Sequence, residues 1–268
     1  MRSGDPRFGF PDLDGFLAPE WEEASTWLKD QLTTGMIEIT IVGDVPVDVA
    51  IDEVANTFGA LPARPTERGT YPDATVLKFP ERTEHILTLT HAGEDDQALL
   101  RIYWPAPDGS DPMRSEMVRV LASVFRNRLV EEIRENDAAA YSPGVGRYSS
   151  STFPDYGYVY ISLDLTPETV APMIARGEGV ADELYRGEIS DDAFERAMTP
   201  IREDLASRLQ SNGYWLSRLS DAQSDQFGLR QHAAIIAAPE AITIDDLKSI
   251  AESIFAPDRS IRFQVVPE

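Results

Sequence analysis

A strand-like segment and the amphipathic helix after it, between residues 37 and 62, constrain the fold of this chain most strongly. Isoleucine alternates with polar residues over 37–41, which is the two-residue period of a β-strand. Gly43 suits a turn, and apolar side chains then recur at helical spacing over 47–58. Pro62 ends the helix. The segment therefore predicts a βα unit in which each element buries one face.

The rest of the chain predicts a similar mixture of helices and short strands. The predicted helices cover 19–32, 111–135, 167–186, 190–210, 214–226 and 243–255, and the predicted strands cover 75–79, 85–91, 98–104, 138–148, 156–165 and 260–266. Polar turns between the three strands from 75 to 104 suit an antiparallel meander. We therefore expect an α+β fold: an antiparallel or mixed sheet with helices packed mainly on one face.

The order of these elements predicts a single domain spanning residues 1–268. A lead-in segment with a helix occupies 1–35, and the main body occupies 36–268. A chain of 268 residues can bury a sizeable core. We expect Trp21 and Trp27 to belong to this core.

Composition excludes several classes of function. The formal net charge of −22 repels nucleic acid and anionic membrane surfaces, so neither is an expected partner. The acidic residues could attract basic peptides, but their scatter favours a solvated surface. No apolar run is long enough to span a bilayer, and no signal peptide opens the chain. We expect a soluble protein, and the compartment of the parent, periplasm or cytoplasm, stays open.

Common catalytic templates are absent from the sequence. There is no cysteine, and none of the three histidines belongs to an H-x-x-E-H motif. His85 and His91 would lie about 20 Å apart on a strand, too far for one zinc. His91 and Glu94 could form only a weak surface site, and a turn-entry histidine explains them better. We predict no metal site on this chain.

Two short segments resemble a known enzyme family. Ile-Val-Gly-Asp-Val at 41–45 and Phe-Gly-Ala-Leu-Pro-Ala-Arg-Pro at 58–65 are similar to the strand and helix that open half-domains of the insulinase/pitrilysin (M16) zinc metallopeptidases. The resemblance implies an M16-like α+β half-unit. In that family an N-terminal half carries the zinc and its H-x-x-E-H motif, so this chain resembles the C-terminal, non-zinc-binding domain.

The same resemblance indicates a candidate site. Arg134 and Tyr141 match an arginine and a tyrosine that the C-terminal domains of the family supply, with the same separation, at a helix-to-strand passage. The resemblance implies that they bind substrate and stabilise the oxyanion when peptide is hydrolysed at the partner's zinc. The alternative is a helix-end arginine and a packed tyrosine. Ala138–Ala140 depart from the family pattern, which often has a glutamine or glycine before the tyrosine.

A set of tyrosines on the predicted β pair allows two interpretations. Tyr148, Tyr156 and Tyr158 could line a peptide groove beside an exposed strand edge, or they could pack across strands, which is the favoured interpretation.

The expected function is that of a non-catalytic C-terminal domain of an insulinase-like peptidase. The expected partners are peptide substrate and an N-terminal zinc-binding half, in the same or another chain. No cofactor is expected on this chain, with zinc in the partner half, so the isolated chain should not hydrolyse peptides. The alternatives are an inactive M16-like structural or interaction module and a stand-alone peptide-binding protein.

Overall fold

A computed structural model describes residues 2–69, 71–136 and 143–268. The α-helices are α1 Leu13–Leu17, α2 Trp21–Thr34, α3 Val47–Asn56, α4 Pro112–Asn136, α5 Val170–Tyr185, α6 Asp191–Leu209, α7 Asn212–Leu219, α8 Phe227–Ala241 and α9 Ile244–Ile254. The strands are β1 Leu87–His91, β2 Ala98–Ala106, β3 Gly144–Ser149, β4 Gly157–Leu165 and β5 Ile261–Pro267.

The described residues form two compact units. The sheet unit comprises mainly Thr75–Asp204 and Ala234–Glu268, and the helical unit comprises Gly4–Ala74 and Leu205–Ala233. The expectation of a single domain over 1–268 stays a prediction.

The sheet unit is built on a mixed sheet with the strand order β1-β5-β2-β4-β3. β2 pairs antiparallel with β4 and β5, β3 pairs antiparallel with β4, and β1 pairs parallel with β5. The predicted meander is therefore wrong, because the C-terminal strand β5 separates β1 from β2. The mixed sheet confirms the predicted α+β fold.

The helices α4, α5 and α9 of the sheet unit pack on one face of this sheet. Alternate residues of β2 and β4 point into the core, which is the two-residue period expected of strands. Trp104 of β2, Phe125 of α4 and Phe255 after α9 meet edge to face, with ring centroids 5.0–5.5 Å apart. Burial of such side chains stabilises the fold by about 1.5–3 kcal/mol each.

Local sequence signals set the ends of the principal helices. Asp111 caps α4, since its Oδ1 accepts hydrogen bonds from the backbone N–H groups of Met113 and Arg114 at 3.0 and 3.1 Å. Thr243 and Asp246 form a capping box at the start of α9. Both helices match their predicted ranges to within one residue at each end.

The predicted strands at 37–41 and 75–79 are wrong. Residues 37–41 pair with no described strand, and side chains hold this segment instead: Glu38 accepts hydrogen bonds from Gln223 and Ser224, and Thr40 donates to the carbonyl of Leu219. After the 3₁₀ turn Pro72–Thr75, the chain toward residue 79 also lacks a ladder. Apolar alternation describes a side-chain pattern, but a strand additionally needs a neighbour to bond.

Two expectations about helices also need correction. α8 was not predicted, because its alanine-rich sequence with an internal Pro239 carries only a weak helical pattern. Trp21 and Trp27 are not core residues, being 76% and 66% exposed. The helix α2 forms as predicted, but amphipathic spacing marks a face without specifying what covers it.

An ionic network ties α4, α5 and α6 together. The guanidinium of Arg128 on α4 donates to Glu131 at 3.1 Å and to Glu183 of α5 at 2.9 Å. Arg196 of α6 donates to the other oxygen of Glu131 and pairs with Asp192 at 2.9 Å. Hydrogen bonds from Arg196 and then Arg128 hold the pKa of Glu131 below its usual range.

Gly157→Ala should destabilise the protein, because a Cβ there would lie 2.2 Å from the backbone oxygen of Pro107. We expect the free energy of unfolding to fall by about 1–3 kcal/mol. Gly179→Ala is the matched control: a Cβ on this exposed position of α5 meets nothing within 4 Å, and we expect a gain of about 0.5–1 kcal/mol. Urea unfolding measured by circular dichroism checks both, and a Gly157→Ala variant as stable as the parent would contradict the close approach.

Glu131→Gln should lower stability by about 0.5–1 kcal/mol near neutral pH, since the network is partly exposed. Because the folded-state pKa of Glu131 is lowered, its stabilising effect is present above the ordinary carboxyl pKa and is lost as the pH falls through the folded-state value. The urea midpoints of parent and variant should therefore differ at about pH 7 and differ less at about pH 3. Glu252→Gln, on an exposed position of α9, should change neither midpoint; equal Glu131→Gln differences at both pH values would refute the assignment.

Candidate functional site

The C-terminal part of α4 places a row of residues beside its buried face. Phe125, Leu129 and Ile133 are buried against the sheet at intervals of one helical turn. Arg126 and Arg134 each follow a buried residue, so both lie about 100° around the helix from the core. Their Cα atoms are separated by eight residues, or about 12 Å along the helix axis.

These two arginines line one cavity in the sheet unit. Its volume is about 530 Å³, and its lining residues are Arg126, Asn127, Val130, Glu131 and Arg134 of α4, Pro143 before β3, and Arg196 of α6. The structure thus places Arg134 in the last turn of α4, as predicted, and in a concave surface. Tyr141 lies outside the described residues; Pro143, two positions later in the sequence, is part of the cavity wall.

The cavity carries more positive than negative charge. Glu131 is the lining carboxylate, and it is already held by Arg128 and Arg196. Across residues 2–69, 71–136 and 143–268, neither Arg126 nor Arg134 forms an ion pair with a carboxylate. Two exposed guanidinium groups therefore remain available to an anionic or carbonyl ligand.

The three tyrosines of the predicted groove lie on the sheet face opposite the helices. Tyr148 of β3 stacks on Tyr158 of β4 with ring centroids 5.4 Å apart, and Tyr103 of β2 meets Tyr158 edge to face at 5.4 Å. Tyr156 is only 1% exposed. Burial raises the pKa of both Tyr156 and Tyr158. These contacts agree with cross-strand packing, and the groove stays a prediction.

An edge-strand glycine is explained by the same aromatic face. Gly146 of β3 pairs with Tyr160 of β4, and a Cβ on Gly146 would lie 2.5 Å from the Tyr160 ring. The ring therefore covers the glycine backbone, as aromatic residues do beside strand glycines. β3 and β4 pair in an unbroken register through Gly146, so this glycine marks neither a bulge nor a turn.

Sequence reasoning missed Arg126, Asn127 and Arg196 as members of the cavity. Arg126 could have been found, because eight residues at about 100° each place it about 80° around α4 from Arg134, within one broad face of the helix. Arg196 could not, because α6 reaches the cavity through tertiary packing. No local pattern specifies that approach.

The histidines have structural contacts. His91 is held between the carbonyl of Gln97, 3.0 Å from Nε2, and the backbone N–H of Gly93, 2.9 Å from Nδ1. His232 Nδ1 lies 2.8 Å from the hydroxyl of Tyr214. In the part of the chain that the structure describes, no group of three or more acidic, histidine or cysteine side chains is arranged to hold a metal. None of the described helices has the length and apolar character needed to cross a bilayer.

Solved structures share this fold at low sequence identity. A peptidase M16 inactive domain from Pseudomonas fluorescens aligns with a TM-score of 0.64 and 17% identity, covering 84% of this chain and 52% of that one. A conserved protein from Enterococcus faecalis gives 0.67 and 17%, covering 91% and 55%. The ferredoxin protease FusC, solved with Arabidopsis ferredoxin, gives 0.73 and 14%, covering 100% and 29%. The chain therefore spans about half, or less, of these structures.

Sequence comparison identifies the family directly. No curated protein matches the sequence significantly. The family described as the peptidase M16 inactive domain matches residues 22–201. This confirms the resemblance noted in the segments at 41–45 and 58–65, and the match covers well over half of the 268 residues. The chain therefore belongs to the M16 peptidase family and represents its inactive, C-terminal type of domain.

Proposed function

We propose that this chain supplies the substrate-binding, non-zinc half of an M16 peptidase. The observation that carries the proposal is the cavity at the end of α4, where Arg134 and Pro143 line the same concave surface. In this proposal, residues 1–268 act as one functional half beside an N-terminal zinc-binding half, in the same or another chain. The substrate is a peptide held between the two.

Arg134 is suited to binding the peptide backbone. Its side chain is exposed, lines the cavity and has no carboxylate partner among the described residues. A planar guanidinium donates hydrogen bonds in a fixed geometry, so it can orient a substrate carbonyl without first breaking an ion pair. Such orientation lowers the entropic cost of reaching the transition state.

We assign the second role, stabilisation of the oxyanion, to Tyr141. A phenol can donate a hydrogen bond to the oxyanion that develops when a peptide carbonyl is attacked. Zinc held by the partner half would supply the activated water, since this chain lacks the H-x-x-E-H motif. In this proposal the partner half holds the zinc, and this chain supplies the groups that bind the peptide and stabilise the oxyanion.

A structural or interaction module is the second candidate function. The observation that favours it is an apolar groove of about 470 Å³ in the helical unit, lined by residues of α3 and by Ile39 and Ile41. Exposed apolar surface of this kind marks interaction sites. In that case Arg134 and Tyr141 would make no contribution to peptide hydrolysis.

The decisive test is kinetic and uses the assembled enzyme, this chain together with the zinc-bearing half. Tyr141→Phe should lower kcat about 100-fold with a smaller change in KM, because the lost hydrogen bond forms mainly in the transition state. Arg134→Gln should lower kcat/KM at least about tenfold. Steady-state hydrolysis of an unfolded peptide measures both.

Arg114→Gln is the matched control, since Arg114 lies on the same helix about 30 Å from Arg134 and should leave the kinetics unchanged. The isolated chain with zinc should show no chelator-sensitive turnover. Robust turnover by the chain alone, or unchanged kinetics in both site variants, would overturn the proposal and favour an interaction module.

A further inference from the structure

We propose that the cavity beside Arg126 and Arg134 binds a carboxylate of the peptide, giving the domain a preference for acidic substrates. This inference rests on the proposed function, because it names the substrate class of the same site. The cavity of about 530 Å³ can accept a side chain or a chain end together with neighbouring atoms. Val130 and Pro143 supply apolar wall for those atoms, and Asn127 supplies a neutral donor.

The charge distribution indicates an anionic ligand. Three arginines line the cavity; Arg196 pairs with Glu131 and Asp192, and the other two have no carboxylate partner in the part of the chain that the structure describes. Glu131, Glu183 and Asp192 together pair with Arg128 and Arg196, which leaves Arg126 and Arg134 without a carboxylate partner among the described residues. A ligand carboxylate would restore neutrality and accept paired hydrogen bonds from a guanidinium.

The position of Arg126 argues against a purely structural explanation. Arg134 lies in the last turn of α4, where a cation is favoured by the helix dipole. Arg126 lies ten residues before the end of α4, beyond the reach of that effect. It also has no carboxylate at i−4 or i+4, since those positions hold Ala122 and Val130.

A carboxylate suits this site better than a polyanion. The chain carries a formal net charge of −22, which repels nucleic acid at long range. At physiological salt, charges separated by more than about 8 Å are largely screened, so a single carboxylate at the cavity responds mainly to the two nearby arginines. The site therefore selects for one or two acidic groups on a peptide.

The test measures binding of four unstructured peptides to the chain, by fluorescence anisotropy at physiological salt. Two peptides carry glutamate and two carry glutamine at the same positions, and each pair has one free and one amidated C-terminus. We expect carboxylate-bearing peptides to bind about tenfold more tightly than the glutamine peptide with an amidated end. Tight binding by the glutamate peptides identifies a side-chain carboxylate, and tight binding by the free-ended glutamine peptide identifies a terminal one.

Arg126→Gln should abolish this preference, so that the carboxylate-bearing and neutral peptides bind with about equal affinity. The circular dichroism spectrum and the thermal unfolding of the variant should stay as in the parent. Arg114→Gln is the charge-matched control on the same helix and should retain the preference. Equal affinity for all four peptides, no binding by any of them, or a preference that survives Arg126→Gln would overturn the inference.

The outcomes separate this inference from the proposed function. Equal binding of acidic and neutral peptides, combined with impaired kinetics for Arg134→Gln in the assembled enzyme, would refute carboxylate selection and leave the peptidase role intact. A preference lost in Arg126→Gln, combined with unchanged kinetics for Arg134→Gln and Tyr141→Phe, would keep carboxylate binding and refute the peptidase role.

Discussion

Burial of one face of α4 against the sheet is the constraint on which the candidate site depends. Phe125, Leu129 and Ile133 are fully enclosed, and Phe125 is locked edge to face with Trp104 and Phe255. A helix with this much buried surface has little freedom to rotate, since doing so would expose several large side chains at about 1.5–3 kcal/mol each. The packing of the core therefore fixes the direction in which Arg126 and Arg134 project from α4.

The neighbouring helices extend this constraint to the walls of the cavity. α4 bonds to α5 through Arg128 and Glu183 and to α6 through Glu131 and Arg196, so two carboxylates join the three helices. Exposed ion pairs add little stability individually, but this network uses both oxygens of Glu131 and so fixes its orientation. As a result, Glu131, the one carboxylate among the described residues that line the cavity, bonds to Arg128 and Arg196.

The sequence was informative where local chemistry decides structure and uninformative where distant partners decide it. Asp111 and Thr243 mark helix starts because a capping hydrogen bond involves residues three positions away. The alternation at 37–41 looks equally strand-like, yet no described strand pairs with it, because ladder formation depends on a distant segment. β1 is a second example of a pairing that local sequence does not specify. Its residues were predicted to be extended, but its parallel partner β5 lies about 170 residues later, at the C-terminal end of the described chain.

The candidate site was likewise predictable from the sequence only where local chemistry decides it. Arg134 was identified by resemblance, and Arg126 could have been found from the spacing along the helix. The tertiary structure was needed to show that these two arginines, unlike Arg128 and Arg196, are not paired with a carboxylate of the described residues. In the sequence, Arg126 and Arg134 are two of several arginines in a helix that also contains glutamates, and any of these arginines could form an ion pair. The fold gives the lining glutamate to Arg128 and Arg196, which leaves two cations in a chain with 46 acidic and 24 basic residues. Because acidic residues so outnumber basic ones, two neighbouring arginines that pair with no carboxylate of the described residues require an arrangement that keeps those carboxylates away. Such an arrangement is expected of a site that binds a carboxylate from outside the chain.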